Sequence, residues 1–164
     1  MKVLVIRHAA AVPSGTPGIA DDDRPLTPRG RARFTRAARG LARITRRPDV
    51  LLSSPLPRAR ATADIAARAF GRIEPTVAPL LAHGSVDEIV MVLTSQPRDA
   101  LVGLVGHEPV LGALVARLVG APASGGFPFK KGGAALVDLP DGPRAAGRLV
   151  WFLKPRILRA LSDG

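Results

Sequence analysis

The sequence predicts an α/β fold: a three-layer sandwich with a mostly parallel central sheet and helices on both faces. Short runs of apolar and β-branched residues recur along the chain, and segments with helical spacing separate them. The runs do not alternate polar with apolar residues, which is typical of strands buried on both faces. Because neither an internal repeat nor a linker divides the 164 residues, we expect a single domain over residues 1–164.

A strand is predicted at each apolar run and a helix at each periodic segment. The predicted elements, in chain order, are strand 2–6, a helix from 28 whose apolar residues run to 44, strand 49–53, helix 55–70, strand 73–78, helix 85–95, strand 99–105, helix 109–119, strands 134–139 and 148–153, and helix 155–162. Segments 9–25 and 121–133 are predicted to be loops, the second with Ser124-Gly125-Gly126 near its centre.

Capping residues indicate where three of the helices begin. Thr27 followed by Pro28 is typical of an N-cap and a first helical residue. Ser54 followed by Pro55 predicts a second helix in the same way. The segment Ser85–Glu88 has the pattern of a capping box, in which a serine and a glutamate three residues later satisfy each other's free backbone N–H groups.

Composition narrows the classes of protein to which the chain can belong. The absence of cysteine excludes disulfides, thiolate catalysis and cysteine-ligated metals. We expect a cytoplasmic protein, because the sequence has neither a run long enough to span a membrane nor the layout of a signal peptide. A net charge of +11 can indicate nucleic-acid or acidic partners, but the excess is almost all arginine in a chain rich in Ala, Gly, Pro and Val, which is typical of a GC-rich coding bias. A nucleic-acid partner is not expected, because no aromatic residues are interleaved with the arginines.

Positively charged or imidazole side chains follow three of the predicted strands. Arg7 and His8 end the first strand, and Arg58 lies in the first turn of the helix after the second. His107 ends the third long strand. Open α/β sheets bind ligands at the carboxyl ends of their parallel strands. Since Glu108 is the one acidic residue at these ends, the sequence predicts a pocket for an anion, and phosphate fits it best.

These residue types suit phosphoryl transfer without a metal. A neutral imidazole is a good nucleophile toward phosphorus, and covalent transfer through it divides one difficult displacement into two easier ones. Such a nucleophile must be held in one tautomer, usually by a backbone carbonyl on its other nitrogen. Arginine forks match phosphate geometry and stabilise charge on the transferring group. Arg7, Arg58 and a second histidine can therefore surround a phosphoryl group.

Four motifs, in order along the chain, resemble those of the histidine phosphatase (phosphoglycerate mutase-like) superfamily. The family's Arg-His-Gly, Leu-Thr-x-x-Gly, Ser-Pro-x-x-Arg-Ala-x-x-Thr-Ala and Gly-His patterns correspond to segments 7–9, 26–30, 54–63 and 105–109. The short length, Lys130–Ala134 and Trp151–Pro155 are similar to the SixA-type phosphohistidine phosphatases. The resemblance implies a phosphoglycerate mutase-like fold with no metal or other cofactor.

The resemblance also implies roles for the four residues at the strand ends. His8 would be the nucleophile that becomes phosphorylated, and Arg7, Arg58 and His107 would bind the phosphoryl group. His107 would in addition stabilise the transferring charge. The third histidine, His83, lies in a predicted loop and is expected to have no special role unless it donates a proton.

The chain departs from the family pattern at two places. Ala9 stands where the family has glycine, which adds a methyl group and requires ordinary backbone angles. Segment 78–84, where larger members carry an acidic proton donor, has no carboxylate. This absence suits a phosphoramidate substrate, because a leaving imidazole is less basic than an alkoxide. His83, Glu108 and the aspartates of Asp21–Asp23 are the alternative donors.

Three hypotheses follow from these patterns. The first is a phosphatase that removes phosphoryl groups from phosphohistidine on a carrier protein. The second keeps the fold and the site but takes a small phosphate ester, such as a sugar phosphate. The third is a basic module without turnover that binds nucleic acid or phosphorylated partners, and it rests on the net charge of +11.

Overall fold

The computed structural model describes residues 1–122 and 126–163, so most of the predicted Ser124-Gly125-Gly126 turn lies outside the described residues. The strands are β1 Lys2–Arg7, β2 Val50–Ser53, β3 Pro75–Val77, β4 Leu101–Gly106, β5 Ala134–Asp138 and β6 Arg148–Leu153. The helices are α1 Pro28–Ile44, α2 Pro57–Ala69, α3 Leu80–His83, α4 Val86–Thr94, α5 Val110–Leu118 and α6 Pro155–Leu161.

The strands form one mixed sheet in the order β3-β2-β4-β1-β5-β6. Strands β3, β2, β4 and β1 run parallel, while β5 is antiparallel to β1 and β6 is antiparallel to β5. The register pairs Arg7 with Gly106 and Ser53 with Val105. The carboxyl ends of β1, β4 and β2 therefore lie side by side, and the residues that follow them share one edge of the sheet.

Helices cover both faces of the sheet, which confirms the predicted three-layer α/β fold. Leu4 and Ile6 of β1 pack into a core with α1, α2 and α6. Val3 and Val5 point to the opposite face and pack into a second core with α3, α4 and α5. All four side chains are fully buried, because successive residues of this strand face covered sides in turn.

Two of the three predicted helix caps are confirmed. The Thr27 hydroxyl accepts a hydrogen bond from the Gly30 N–H at 2.9 Å, and Pro28 is the first residue of α1. The Ser85 hydroxyl accepts from the Glu88 N–H, and the Glu88 carboxylate accepts from the Ser85 N–H at 2.7 Å. Both sequence patterns therefore give the expected capping contacts.

The predicted start of α2 at Pro55 is wrong, because the helix begins at Pro57 with Leu56 as its N-cap. The Ser54 N–H still donates to the Val105 carbonyl at 2.9 Å, so the chain follows the sheet for one residue beyond β2. The helix cannot include Leu56, because Pro57 keeps the residue before it extended, with φ −66° and ψ 138°. Arg58 nevertheless lies in the first turn of α2, as predicted.

The remaining differences concern short elements. Strand β3 is three residues long and not six, because Pro75 begins it and Pro79 follows it. The short helix α3, Leu80–His83, was not predicted, since four residues between Pro79 and Gly84 carry no periodic pattern. The 9–25 loop contains a 3-10 turn over Asp21–Asp23. No helix of the described residues is long and apolar enough to span a membrane.

Candidate active site

His8 lies directly after β1 and is 5% exposed. Its Nδ1 lies 2.7 Å from the Ala9 carbonyl oxygen. A carbonyl can only accept, so Nδ1 carries the proton and Nε2 keeps its lone pair. Burial lowers the pKa of His8 to about 3, although the Ala9 carbonyl works against this shift, so the imidazole is neutral at physiological pH. The neutral single tautomer expected of a nucleophile is therefore present.

His107 follows β4 and faces His8, with ring centroids 5.0 Å apart. Its Nε2 lies 2.8 Å from the Ser54 hydroxyl, at the end of the neighbouring strand β2. Burial lowers the pKa of His107 to about 4, and the positive charges of Arg58 and Arg7 add to this shift. The Nδ1 atom is buried and has no hydrogen-bond partner among the described residues.

Arg7 and Arg58 complete the positively charged pocket. The Arg7 guanidinium donates from Nη1 to the Phe129 carbonyl at 2.5 Å. Arg58 is 5% exposed and donates from Nη1 to the Asp21 carbonyl at 2.9 Å. The Nε atoms of both arginines are buried without a partner in the part of the chain that the structure describes. Buried donors are normally satisfied, so these two N–H groups are available to bind an anion.

Thr62 joins the two halves of this pocket. Its hydroxyl accepts from the Ala9 N–H at 3.0 Å and donates to the Arg58 carbonyl at 2.7 Å. Thr62 is fully buried, so neither bond can be exchanged for one to water. Thr62 was not predicted to be a site residue, although it lies in the 54–63 motif. Its position four residues after Arg58, on the same face of α2, is the signal that could have identified it.

Ala9 fits its position without backbone strain. Among the described residues, Arg72 is the only non-glycine with a positive φ, so Ala9 has the ordinary backbone that an alanine requires. Its side chain is 2% exposed and belongs to the core beneath α1 and α2. The methyl group that distinguishes it from glycine therefore packs against apolar neighbours.

The three proposed proton donors occupy different surroundings. The Glu108 carboxylate accepts from the Phe129 N–H at 2.8 Å, and the Phe129 carbonyl in turn accepts from Arg7. Glu108 therefore holds in place the residue that contacts Arg7. His83 is exposed at the end of α3, close enough for its charge to lower the pKa of His107. The charge of Asp22 raises that pKa, which places this carboxylate near the site as well. The sequence did not predict that the Asp21–Asp23 turn would lie against Arg58.

The arrangement can bind a phosphoryl group and present a nucleophile to it. Two arginines, a buried imidazole N–H and a neutral histidine converge at the ends of three adjacent strands. Cationic donors fixed in a buried site stabilise charge that develops on phosphoryl oxygens. No three His, Asp or Glu side chains of residues 1–122 and 126–163 are grouped so that they could hold a metal ion.

Comparison with known proteins gives the family. Residues 3–88 match the model of the histidine phosphatase superfamily, branch 1. The chain is similar to the protein histidine phosphatase SixA complexed with tungstate, at 26% identity and a TM-score of 0.84. The match covers 96% of this chain and 99% of that chain. A putative phosphohistidine phosphatase SixA from Agrobacterium tumefaciens gives 30% identity, a TM-score of 0.77, and coverage of 94% and 97%.

An uncharacterized protein of Picosynechococcus sp. is 36% identical over 115 residues, which cover 68% of this chain and 69% of that protein. A mycobacterial glucosyl-3-phosphoglycerate phosphatase, at 19% identity and a TM-score of 0.71 over 90% of this chain and 96% of that chain, shares the fold. The family model spans more than half of the chain, and the phosphoglycerate mutase-like fold matches throughout. This chain therefore belongs to the histidine phosphatase superfamily and groups with its SixA-type members.

Proposed function

We propose that this phosphatase works without a metal, through a phosphohistidine intermediate on His8, and that its substrate is phosphohistidine on a protein. The observation that carries the proposal is the hydrogen bond between His8 Nδ1 and the Ala9 carbonyl. It leaves Nε2 unprotonated in a pocket that also contains Arg7, Arg58 and His107. A nucleophile in a fixed tautomer needs no separate base to activate it.

The first step transfers the phosphoryl group to His8. The Nε2 lone pair forms a bond to phosphorus as the bond between phosphorus and the substrate's imidazole nitrogen breaks. The electron pair of the broken bond stays on that nitrogen, and the imidazole leaves neutral when its other nitrogen already carries a proton. The phosphorylated His8 ring is then cationic at Nδ1–H, and the Ala9 carbonyl stabilises this charge.

The second step is hydrolysis of the phosphorylated histidine. A water oxygen attacks phosphorus, the bond to Nε2 breaks, and its electron pair returns to Nε2. One water proton is released and inorganic phosphate leaves, which restores neutral His8. In both steps, the Nε atoms of Arg7 and Arg58 and the Nδ1–H of His107 would donate to phosphoryl oxygens. These three atoms are buried and have no hydrogen-bond partner within residues 1–122 and 126–163.

The leaving group favours phosphohistidine over an ester. The Oε1 atom of Glu108 accepts from the Phe129 N–H, which holds this carboxylate on the segment before β5. A leaving imidazole is less basic than an alkoxide, so it requires less help from an acid. The similarity to a protein histidine phosphatase SixA and to a putative phosphohistidine phosphatase SixA supports the same substrate class.

A small phosphate ester is the second candidate substrate. The observation in its favour is that His83 and Asp22 both lie close enough to His107 to shift its pKa. Either side chain could bring a proton to a leaving alkoxide. If either side chain donated this proton, the enzyme would not need the carboxylate that larger family members carry in the region of segment 78–84.

The experiment compares substrates and variants in a metal-free buffer with a chelator. We expect the wild-type protein to release phosphate from a phosphohistidine-bearing carrier protein, and His8→Ala to be slower by about 10³-fold or more. Arg39→Ala, an exposed change on α1, is the matched control. Equal rates for wild type and His8→Ala would contradict the mechanism. Rapid turnover of a small ester, with no action on phosphohistidine, would establish the second candidate.

A further inference from the structure

A cavity of about 260 Å³ lies beside the active site, between α1, the segment before β5 and the start of α6. Ala9, Phe34 and Pro155 supply apolar surface to its wall. Six basic side chains also line it, and they are Arg33, Lys130, Lys131, Lys154, Arg156 and Arg159. We call this feature the basic cavity.

The basic side chains are available to a ligand. None of the six forms an ion pair or a side-chain hydrogen bond with another group in residues 1–122 and 126–163. The part of the chain that the structure describes contributes no acidic residue to the cavity wall. Like charges gathered in one concave surface repel one another and raise the local concentration of anions. The wall therefore selects a negatively charged occupant.

The basic cavity is connected directly to the nucleophile. Ala9 lines it, and the carbonyl of this residue orients the His8 ring. Gly132 also lines it, and its N–H donates to the His8 carbonyl at 3.0 Å. An occupant would thus lie against the backbone that holds His8, while the phosphoryl pocket of Arg7 and Arg58 remains outside the cavity wall.

The charges around the site favour a protein surface over an extended polyanion. The Asp21–Asp23 turn lies against Arg58 and adds negative charge there, outside the cavity. A nucleic acid or polyphosphate crossing the site would meet this turn as well as the basic side chains. An acidic protein segment can place its carboxylates on the basic side chains and an apolar side chain on Phe34 and Pro155, without approaching the turn.

We propose that the basic cavity docks an acidic segment of the phosphorylated carrier protein, next to the phosphohistidine presented to His8. The phosphohistidine part of this statement rests on the proposed function. The acidic chemistry of the partner rests on the cavity alone. Contacts between the exposed charges of the basic cavity and a partner act mainly on the rate at which the two proteins associate. These contacts weaken as salt is added.

The test reverses three cavity charges whose side chains make no hydrogen bond or ion pair to Arg7, His8, Arg58 or His107. The variant combines Arg33→Glu, Lys131→Glu and Arg156→Glu. The matched control combines Arg39→Glu, Arg98→Glu and Arg117→Glu, which are exposed residues outside the cavity wall, so both variants have the same net charge. Thermal unfolding confirms that each variant is folded before it is assayed.

The substrates are an acidic phosphohistidine-bearing carrier protein and para-nitrophenyl phosphate. We expect the cavity variant to lose about tenfold or more in kcat/KM toward the carrier protein relative to the control variant, with a much smaller loss toward para-nitrophenyl phosphate. Added salt should reduce the wild-type kcat/KM toward the carrier protein and have less effect on the cavity variant. Equal losses in the two triple variants, or equal losses on the two substrates, would overturn the proposal.

A binding measurement separates this proposal from the proposed function. The dissociation constant of the unphosphorylated carrier protein is measured by fluorescence anisotropy, with a DNA duplex as the competing polyanion. If wild type binds the carrier and the cavity variant binds it about tenfold more weakly than the control does, the docking surface stands even where no phosphohistidine is hydrolysed. Unchanged binding of the carrier, or tighter binding of DNA than of the carrier, refutes the docking surface.

Discussion

At the scale of single residues, burial accounts for the properties of the two histidines. His8 and His107 lie beside Arg7 and Arg58, and desolvation together with these positive charges keeps both imidazoles neutral. Neutrality leaves His8 with a lone pair and leaves His107 able to donate one N–H. A bound phosphoryl group would add negative charge and raise the pKa of both rings.

We predict that both imidazoles remain neutral from pH 8 to pH 5. The reason is that burial holds the pKa of His8 at about 3 and that of His107 at about 4, below the ordinary value of 6.5. Nitrogen-15 spectra of the imidazole rings should show His8 as the single tautomer with a proton on Nδ1. A titration of either ring with a midpoint near 6.5 would contradict this description of the site.

Thr62 is a positioning residue, because its hydroxyl connects the Ala9 N–H, next to His8, with the Arg58 carbonyl. We expect Thr62→Val to leave the Ala9 N–H buried without a partner, to destabilise the protein by about 1–3 kcal/mol and to lower kcat. Thr62→Ser keeps the hydroxyl and should restore kcat and the His8 ring spectrum. A Thr62→Val protein with the wild-type kcat and ring spectrum would remove this role.

At the scale of elements, the site exists because β2, β4 and β1 are neighbours in the sheet. The sequence predicted each strand and the residue at its end, since these depend on local hydrophobic runs. The order of the strands depends on long-range pairing, which no local pattern contains. The adjacency of Ser54 and His107 follows from that order and was therefore not predicted.

Other parts of the site lay beyond prediction for the same reason. The contact of the Asp21–Asp23 turn with Arg58 uses backbone carbonyls, and every residue type has one. The Arg7 contact with the Phe129 carbonyl joins positions 122 residues apart. By contrast, Thr27 and Ser85 were predicted correctly because a cap depends on residues within one helical turn.

Helix α1 approaches the loop after His8 closely at Gly30. A Cβ atom on Gly30 would lie 2.1 Å from the Ala10 carbonyl oxygen, so the loop after His8 would have to move. We expect Gly30→Ala to lower kcat by about tenfold or more, since displacement of a catalytic group by about 1 Å has large effects. Gly126→Ala, where a Cβ meets open space, is the control. Similar kcat values for the two variants would show that the loop tolerates the shift.

At the scale of the whole molecule, buried neutral histidines make stability depend on pH. The unfolded chain binds a proton to His8 near pH 6.5, whereas the folded protein does so near pH 3. Acid therefore favours the unfolded state. The stability contributed by His8 is fully present above pH 6.5 and is lost as the pH falls toward 3.

We predict that lowering the pH from 6.5 to 4 reduces the free energy of unfolding of the wild-type protein more than it reduces that of the His8→Gln variant. The difference should be on the order of 2–3 kcal/mol, because glutamine does not titrate in this range. Urea unfolding at several pH values measures it. Parallel stability curves for the two proteins would mean that His8 is protonated in the folded state over this range.

In the proposed mechanism, His8 carries the phosphoryl group that is removed from the substrate. The most direct measurement mixes the protein with a phosphohistidine-bearing carrier protein, quenches at alkaline pH, where phosphohistidine survives, and locates the added phosphate by mass spectrometry. We predict a phosphate on His8 within the first turnover, and none on the same peptide of His8→Ala. Phosphate found on His107 or His83, or substrate turnover by wild type with His8 never modified, would contradict the account.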